Sequence, residues 1–293
     1  MTLPFEVADY VDFYSSLEHA TNVGRMFRPD QEPLLPNWHW LPVGYHGRAG
    51  TIVPSGTPIV RPHGQSKAAD AAEPAFGPSK RLDVELELGF VIGKPSDLGR
   101  PVPIDHALEH VAGVVLVNDW SARDIQAWEY QPLGPFLGKS FATSISAEVT
   151  PLEALLPYRV PAPPQDPPPL PYLRAGEHLA FDLDLEIGLN GEVISRASAR
   201  DLYWSVEQQI AHLTSNGASL RVGDLLASGT ISGPTRDSWG SLVELTWNGS
   251  EPIRLGDGTT RTFLENGDEV VLRGRTPDGK VELGEVRGRI VGS

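Results

Sequence analysis

The chain has 293 residues, 40% hydrophobic and 21% charged, an ordinary globular composition with enough length for a sizeable core. Its 24 basic and 38 acidic side chains leave a formal charge of −14, which repels nucleic acid and anionic membranes and excludes both as expected partners. There is no cysteine, so disulfides, thiolate nucleophiles and Cys-ligated zinc are excluded, in keeping with a reducing compartment.

The N-terminal MTLPFEVADY lacks the basic-then-apolar order of a secretory signal. The longest aliphatic run, near 111–117, falls far short of the roughly 20 residues that span a bilayer. The expectation is a cytoplasmic protein.

Glycine (30) and proline (27) are abundant, which predicts many turns and short strands rather than long helices. In chain order, a helix is expected over 15–27, with Asp12 or Ser15 as its cap and Glu18 in its first turn. Residues 41–65 read as loop and short strands. Residues 82–92 alternate as a strand, and a short helix over 105–110 leads into an apolar strand at 113–117. Asp119 or Ser121 can then cap a helix reaching about Trp128.

The stretch 157–171, PYRVPAPPQDPPPLP, predicts a stiff extended segment, equally a linker or an ordered surface crossing. A second alternating strand is expected over 181–189, with Asn190-Gly191 closing a hairpin into 193–197. A helix follows at 206–213, then strands and turns. No internal repeat is evident. The predicted fold class is α+β and β-rich, with mixed sheets and helices at their margins. It is taken as one catalytic domain over 1–293, with the Pro-rich crossing inside it.

Three motifs invite chemistry that the residues do not support. GPFLGKS, 134–140, has three residues between its glycines where a phosphate loop needs four, and Pro135 and Phe136 stiffen it. His106, Glu109 and His110 fit the HxxEH zinc-peptidase pattern, but a surface helix before a strand explains them as well. No GxSxG elbow is present.

Acidic residues are more informative. On a strand over 82–90, Asp83, Glu85 and Glu87 share one face, and same-face neighbours about 7 Å apart repel unless water or a cation intervenes. Hard cations such as Mg2+ and Ca2+ take oxygen ligands of this kind. However, Asp182, Asp184 and Glu186 repeat the pattern on the later strand, so alternation alone does not name a metal site. Asp119, at the end of an apolar strand, can deliver a carboxylate to the sheet's carboxyl edge or serve as a helix cap.

The segments DFYSSLEHATNVGRMFR (12–28), LPVGYHGRAG (41–50), SGTPIVRPHGQ (55–65), VNDWSARDIQAWEYQPLGPFLGKSF (117–141) and LASGTISGP (226–234) resemble the fumarylacetoacetate hydrolase family. VNDWSARDIQ points to the wider superfamily; DFYSSLEHATNVG, GYHGR and WEYQPLGPFLGKSF point within it to the fumarylacetoacetases. The resemblance runs in order from about residue 9 to the end of the chain. Members commonly carry a smaller N-terminal domain before the DFYSS segment, which is expected to be missing here.

The resemblance implies the mixed-sheet fold of that family, a homodimer, and hydrolysis of a carbon–carbon bond in a small β-diketo acid. It implies a Ca2+ or Mg2+ ion held by Asp12, Glu85, Glu87 and Asp119, with Lys139 and Thr143 beside it or at a second cation site. His19 would be the general base, oriented by Glu244. Tyr14 and Arg28 would grip substrate oxygens from one side, and Gln126, Tyr130 and Thr230 from the other. Arg123, Gln126 and Lys139 would stabilise a tetrahedral oxyanion, each such donor being worth about 3–4 kcal/mol. Taken singly, each residue has a plain alternative: a surface histidine for His19, core tyrosines for Tyr14 and Tyr130, an ion pair for Arg28, a solvent-facing strand position for Glu244. Two rival readings stand beside the first: another metal-dependent enzyme of the superfamily (an acylpyruvate hydrolase or an oxaloacetate decarboxylase), and a catalytically silent binding protein.

Overall fold

The computed structural model describes residues 2–293. Two mixed β-sheets carry the core. The larger runs in the spatial order Gly44–His46, Tyr10–Phe13, Leu225–Ala227, Leu86–Ile92, Val111–Asp119, Thr143–Ile145, Ile52–Pro54, with Thr150–Pro151 also paired to Val111–Asp119. The Tyr10–Phe13 and Leu225–Ala227 strands are parallel, while Leu86–Ile92 pairs antiparallel to both of its neighbours. The second sheet is ordered Glu192–Ser198, Asp184–Leu189, Glu269–Arg275, Glu282–Val291, Ile59–Val60. This is the β-rich α+β architecture expected from the sequence. The longest helix, Leu17–Phe27, has only 11 residues, and among the described residues no helix is long and apolar enough to cross a membrane.

The elements follow the predicted order, with differences at their ends that matter for the site. Ser16, rather than Asp12 or Ser15, caps the first helix, its hydroxyl accepting from the His19 amide; Asp12 lies inside a strand. The alternating stretch at 82–92 breaks into Leu82–Asp83 and Leu86–Ile92, and every side chain from Leu82 to Ile92 is buried. Neither Asp119 nor Ser121 caps the next helix. The apolar strand extends to Asp119, and the helix Arg123–Glu129 starts after Ala122 without a side-chain cap.

The Pro-rich crossing is tied down: Arg159–Pro161 pairs with Leu179–Phe181, and Gln165 donates to the Tyr203 carbonyl at 2.8 Å and exchanges hydrogen bonds with Gln208. Asn190 and Gly191, with φ of 52° and 86°, turn the expected hairpin, because that turn needs two left-handed residues. Ser205 and Gln208 form a capping box on Val206–Thr214.

The two sheets share a core in which Leu86, Leu88 and Leu116 of one meet Leu185, Leu272, Leu283 and Val286 of the other. Trp120, fully buried directly after Asp119, donates its indole N–H to the Ser144 hydroxyl at 2.9 Å and lies flat against Gly288. A Cβ at position 288 would come within 2.5 Å of the Trp120 ring. Gly288→Ala should therefore destabilise the fold by about 1–3 kcal/mol through overpacking. Chemical denaturation checks this, and an unchanged midpoint would show that the sheets have slack there.

Candidate active site

Three strands of the larger sheet bring acids from separate parts of the chain to one place. Asp12 sits on Tyr10–Phe13, Glu87 on Leu86–Ile92 and Asp119 at the end of Val111–Asp119. One carboxylate oxygen from each lies within 4.8 Å of the others, and all three residues are buried. Glu87 is fully buried with neither carboxylate oxygen hydrogen-bonded, and Asp12 Oδ1 is likewise without a partner. Leaving such atoms in a dry interior is costly. Burial first, and mutual repulsion second, raise the Asp12 and Glu87 carboxyls well above the usual carboxylate range. Burial also raises Asp119, although Lys139 beside it works the other way. A hard divalent cation fits this all-oxygen donor set and would partner the orphaned oxygens.

Glu85 and its surroundings differ in kind. Its oxygens accept from Arg123 Nη2 at 2.6 Å and from the Lys139 ammonium, and the same ammonium also contacts Asp119. Burial opposes the charge on Glu85, but Arg123, Lys139 and His19 outweigh it and hold the carboxyl well below its ordinary value. Glu85 is thus committed to two cations and stands outside the three-acid cluster that the other expected ligands form. Lys139, although burial disfavours its charge, is held as an ammonium by Asp119 and Glu85. It acts here as a positive partner to the acids. Thr143 donates its hydroxyl to Asp119 Oδ1 at 3.1 Å, the two residues being paired across adjacent strands.

His19 lies on the other flank. Its Nδ1 is 2.6 Å from Glu244 Oε2, and its Nε2 is 3.8 Å from Glu85 Oε1. Glu244 is fully buried on the short helix Leu242–Leu245, not on a strand facing water. Its carboxylate also accepts from Asn22 Nδ2 at 3.0 Å, Ser232 Oγ at 2.9 Å and Ser241 Oγ at 2.7 Å. Burial works against the ionised form, yet His19 and these hydrogen bonds prevail and lower the pKa of Glu244. An ionised Glu244 fixes the proton of a neutral imidazole on Nδ1 and leaves Nε2 with a lone pair.

Both groups open onto one cavity of about 350 Å³. Tyr14, Arg28, Arg123, Gln126, Tyr130 and Thr230 all lie in its wall. Burial, followed by the nearby Glu244 and Glu85 charges, raises the Tyr14 phenol, so at neutral pH it remains a donor. Arg28 gives one N–H to the Pro33 carbonyl at 2.8 Å and keeps its buried Nε unpaired. Thr230 Oγ1 is also buried without a partner. Gln126 Oε1 accepts from Arg123 Nη1 at 3.0 Å, which leaves the amide NH2 of Gln126 free to donate.

Glycine makes this wall possible at two points. A Cβ on Gly138 would lie 2.7 Å from the Gln126 backbone nitrogen, and Gly229, with φ of 75°, would meet the Phe13 carbonyl at 2.2 Å.

Several supporting residues were not anticipated. Tyr45 donates to Asp119 Oδ2 at 3.1 Å, and Asn22, Ser232 and Ser241 hold Glu244. Tyr45 and Asn22 lie within the segments that carry the resemblance, but nothing in a single sequence says which residues hydrogen-bond a carboxylate. The HxxEH residues do not assemble: His106 Nδ1 engages the exposed Glu109, while His110 Nδ1 pairs with the Lys94 carbonyl.

The family model for the fumarylacetoacetate (FAA) hydrolase C-terminal matches residues 9–291. Fumarylacetoacetases of Rattus norvegicus and Homo sapiens are 54% and 53% identical to this chain over 99% of its length, which spans 71% of theirs. That of Arabidopsis thaliana is 52% identical over all of the chain and 71% of its own length. Among solved structures, a fumarylpyruvate hydrolase from Pseudomonas aeruginosa in complex with Mn2+ and pyruvate has a TM-score of 0.59 at 21% identity, covering 98% of this chain and 91% of that one. A fumarylacetoacetate hydrolase from Exiguobacterium antarcticum has a TM-score of 0.57 at 20% identity, covering 99% and 76%. At those identities the structures speak for the fold alone, whereas the sequence relatives and the family model speak for descent: the chain belongs to the fumarylacetoacetate hydrolase family.

Proposed function

We propose that the chain hydrolyses 4-fumarylacetoacetate to fumarate and acetoacetate, the last step of tyrosine and phenylalanine breakdown. The observation that carries this reading is a His19–Glu244 pair and a cluster of three buried acids, with unpartnered oxygens on Asp12 and Glu87, beside one cavity lined by Tyr14, Arg28, Arg123 and Gln126. Relatives named fumarylacetoacetase at just over 50% identity along nearly the whole chain support the substrate. The pairing of His19 with Glu244, together with Tyr14 and Arg28 in the cavity wall, argues against the acylpyruvate hydrolase and oxaloacetate decarboxylase readings.

Asp12, Glu85, Glu87 and Asp119 would hold the divalent ion, for which Mg2+ or Ca2+ suits the hard oxygen donors, with Lys139 and Thr143 next to them. When bound, the ion supplies Lewis acidity toward the diketone oxygens. His19 Nε2 takes a proton from water, and Glu244 stabilises the resulting imidazolium. The hydroxide adds to the ketone carbon of the fumaryl group, which becomes the new carboxyl carbon of fumarate. Arg123, Lys139 and the free NH2 of Gln126 stabilise the oxyanion that develops.

The carbon–carbon bond then breaks with its electron pair on the acetoacetate carbon, which recovers the proton held by His19. Arg28 and Thr230 offer unpaired donors for the carboxylate and carbonyl oxygens, and the Tyr14 and Tyr130 phenols border the same space. We further propose that residues 1–293 act as one catalytic domain, since both sheets share a core, and that the enzyme is a cytoplasmic homodimer, as the family resemblance implies.

The direct test is loss of the conjugated-diketone absorbance on adding fumarylacetoacetate with Mg2+ or Ca2+, with fumarate and acetoacetate identified as products. In that assay His19→Gln should lower kcat by about 10²–10⁴ and leave metal affinity unchanged; near-normal turnover would remove His19 as the base.

Removing metal gives a second test. Carboxyls whose folded pKa is raised contribute stability that is present below their unfolded value near about pH 4 and lost as pH climbs through the folded value. Asp12, Glu87 and Asp119 are all raised, so stripped protein should lose thermal stability above that pH. The Tm gained on adding saturating Mg2+ or Ca2+ should then be larger at pH 8 than at pH 5. Equal gains at both pH values would mean that the cation binds elsewhere.

A further inference from the structure

Asp83 is fully buried, lies on the short strand Leu82–Asp83 and is separate from the three-acid cluster. Its Oδ2 accepts from Arg123 Nε at 2.8 Å. Its Oδ1 accepts from the Leu242 N–H at 2.8 Å and the Val243 N–H at 3.3 Å, the first amides of the helix that carries Glu244. These amides have no partner within the helix and need an acceptor.

The backbone around Asp83 is placed to match. Residues Leu82–Asp83 pair with Ser121–Ala122, immediately before Arg123, and the Arg123 amide donates to the Arg81 carbonyl at 2.9 Å. On the other side Glu85 bridges to Ser241, and the Leu86 amide donates to the Gly240 carbonyl at 2.9 Å. The 81–86 segment thus runs between the Arg123 segment and the Glu244 segment, with one carboxylate gripping both.

We infer that Asp83 is a positioning residue for both halves of the reaction, aiming Arg123 at the oxyanion through Oδ2 and seating the Glu244 helix behind His19 through Oδ1. This rests on the hydrolytic reading above. The chemistry explains why a carboxylate is needed. An Asn carbonyl could still accept from the Leu242 and Val243 amides, but its NH2 would face Arg123 Nε, donor to donor, so the guanidinium would lose one of the two acids that fix its plane. Alanine would remove both functions. Arg123 would still contact Glu85, so its charge would remain paired while its direction relaxed.

The two substitutions separate the arms, and two readouts separate this inference from the reading beneath it. The first is the proton NMR spectrum of the folded protein, observing the Arg123 Nε–H and the His19 Nδ1–H. Asp83→Asn should expose the Arg123 proton to exchange and leave the His19 proton protected by Glu244; Asp83→Ala should disturb both. The second is steady-state kinetics. A misdirected guanidinium should cost Asp83→Asn about 10- to 100-fold in kcat, with KM within about threefold, and Asp83→Ala should cost more. Asp83→Asn with the Arg123 proton still protected and kcat within twofold of wild type would overturn the inference. If the wild-type protein fails to cleave fumarylacetoacetate while both protons respond as described, the hydrolytic reading fails and the two-armed role of Asp83 in placing Arg123 and Glu244 stands.

Discussion

An excess of buried negative charge sets the terms for this structure. Asp12, Glu85 and Glu87 are buried in the wall of one cavity and Asp83, Asp119 and Glu244 are buried behind it, with Arg123 and Lys139 as the buried permanent cations beside them. At an effective dielectric near 20, like charges about 4 Å apart repel by about 4 kcal/mol, so such a cluster persists only where each acid has a defined partner. Asp83 and Glu85 have Arg123, Glu85 and Asp119 share Lys139, and Glu244 has His19 with three neutral donors. Asp12 and Glu87 are left, and their unpaired oxygens mark the place for a cation.

The folding pattern follows from that constraint. Acids of one sign can be assembled at short range only if rigid elements hold them, and the strands of a single sheet do so. The elements supplying the opposing groups are short and individually weak. The helices carrying Lys139 and Glu244 have four residues each, and each depends on neighbours for its hydrogen bonds. Framework and chemistry are therefore divided between sheet and connections, with strands fixing the acids and turns and brief helices delivering the histidine partner, the lysine and the arginine.

Much of this was legible in the chain. The apolar run ending in Asp119 and the Asn190-Gly191 turn fold as their patterns indicate, and the alternation at 82–92 marks extended chain that the structure divides into Leu82–Asp83 and Leu86–Ile92. What the residues alone did not separate was the acidic face at 83–87 from its likeness at 182–186. In the structure the first is buried on both sides, while Asp182 pairs with Arg200 at the surface and Asp184 is exposed. That difference arises from what covers each strand, a long-range property that alternation does not encode. Glu244 was similarly ambiguous, because a four-residue helix leaves almost no periodic signal. Its partners Asn22 and Ser232 come from distant parts of the chain and meet only when the sheets close.

The glycines in the cavity wall have a bearing on which molecules the pocket admits. Gly138 brings the Lys139 segment against the backbone of Arg123–Glu129 with no space for a methyl group, and Gly229 does the same against Phe13. Segments that already touch backbone to backbone cannot move closer, so a side chain added at either glycine would push Lys139 or Thr230 out of place and change the shape of the pocket that a guest meets.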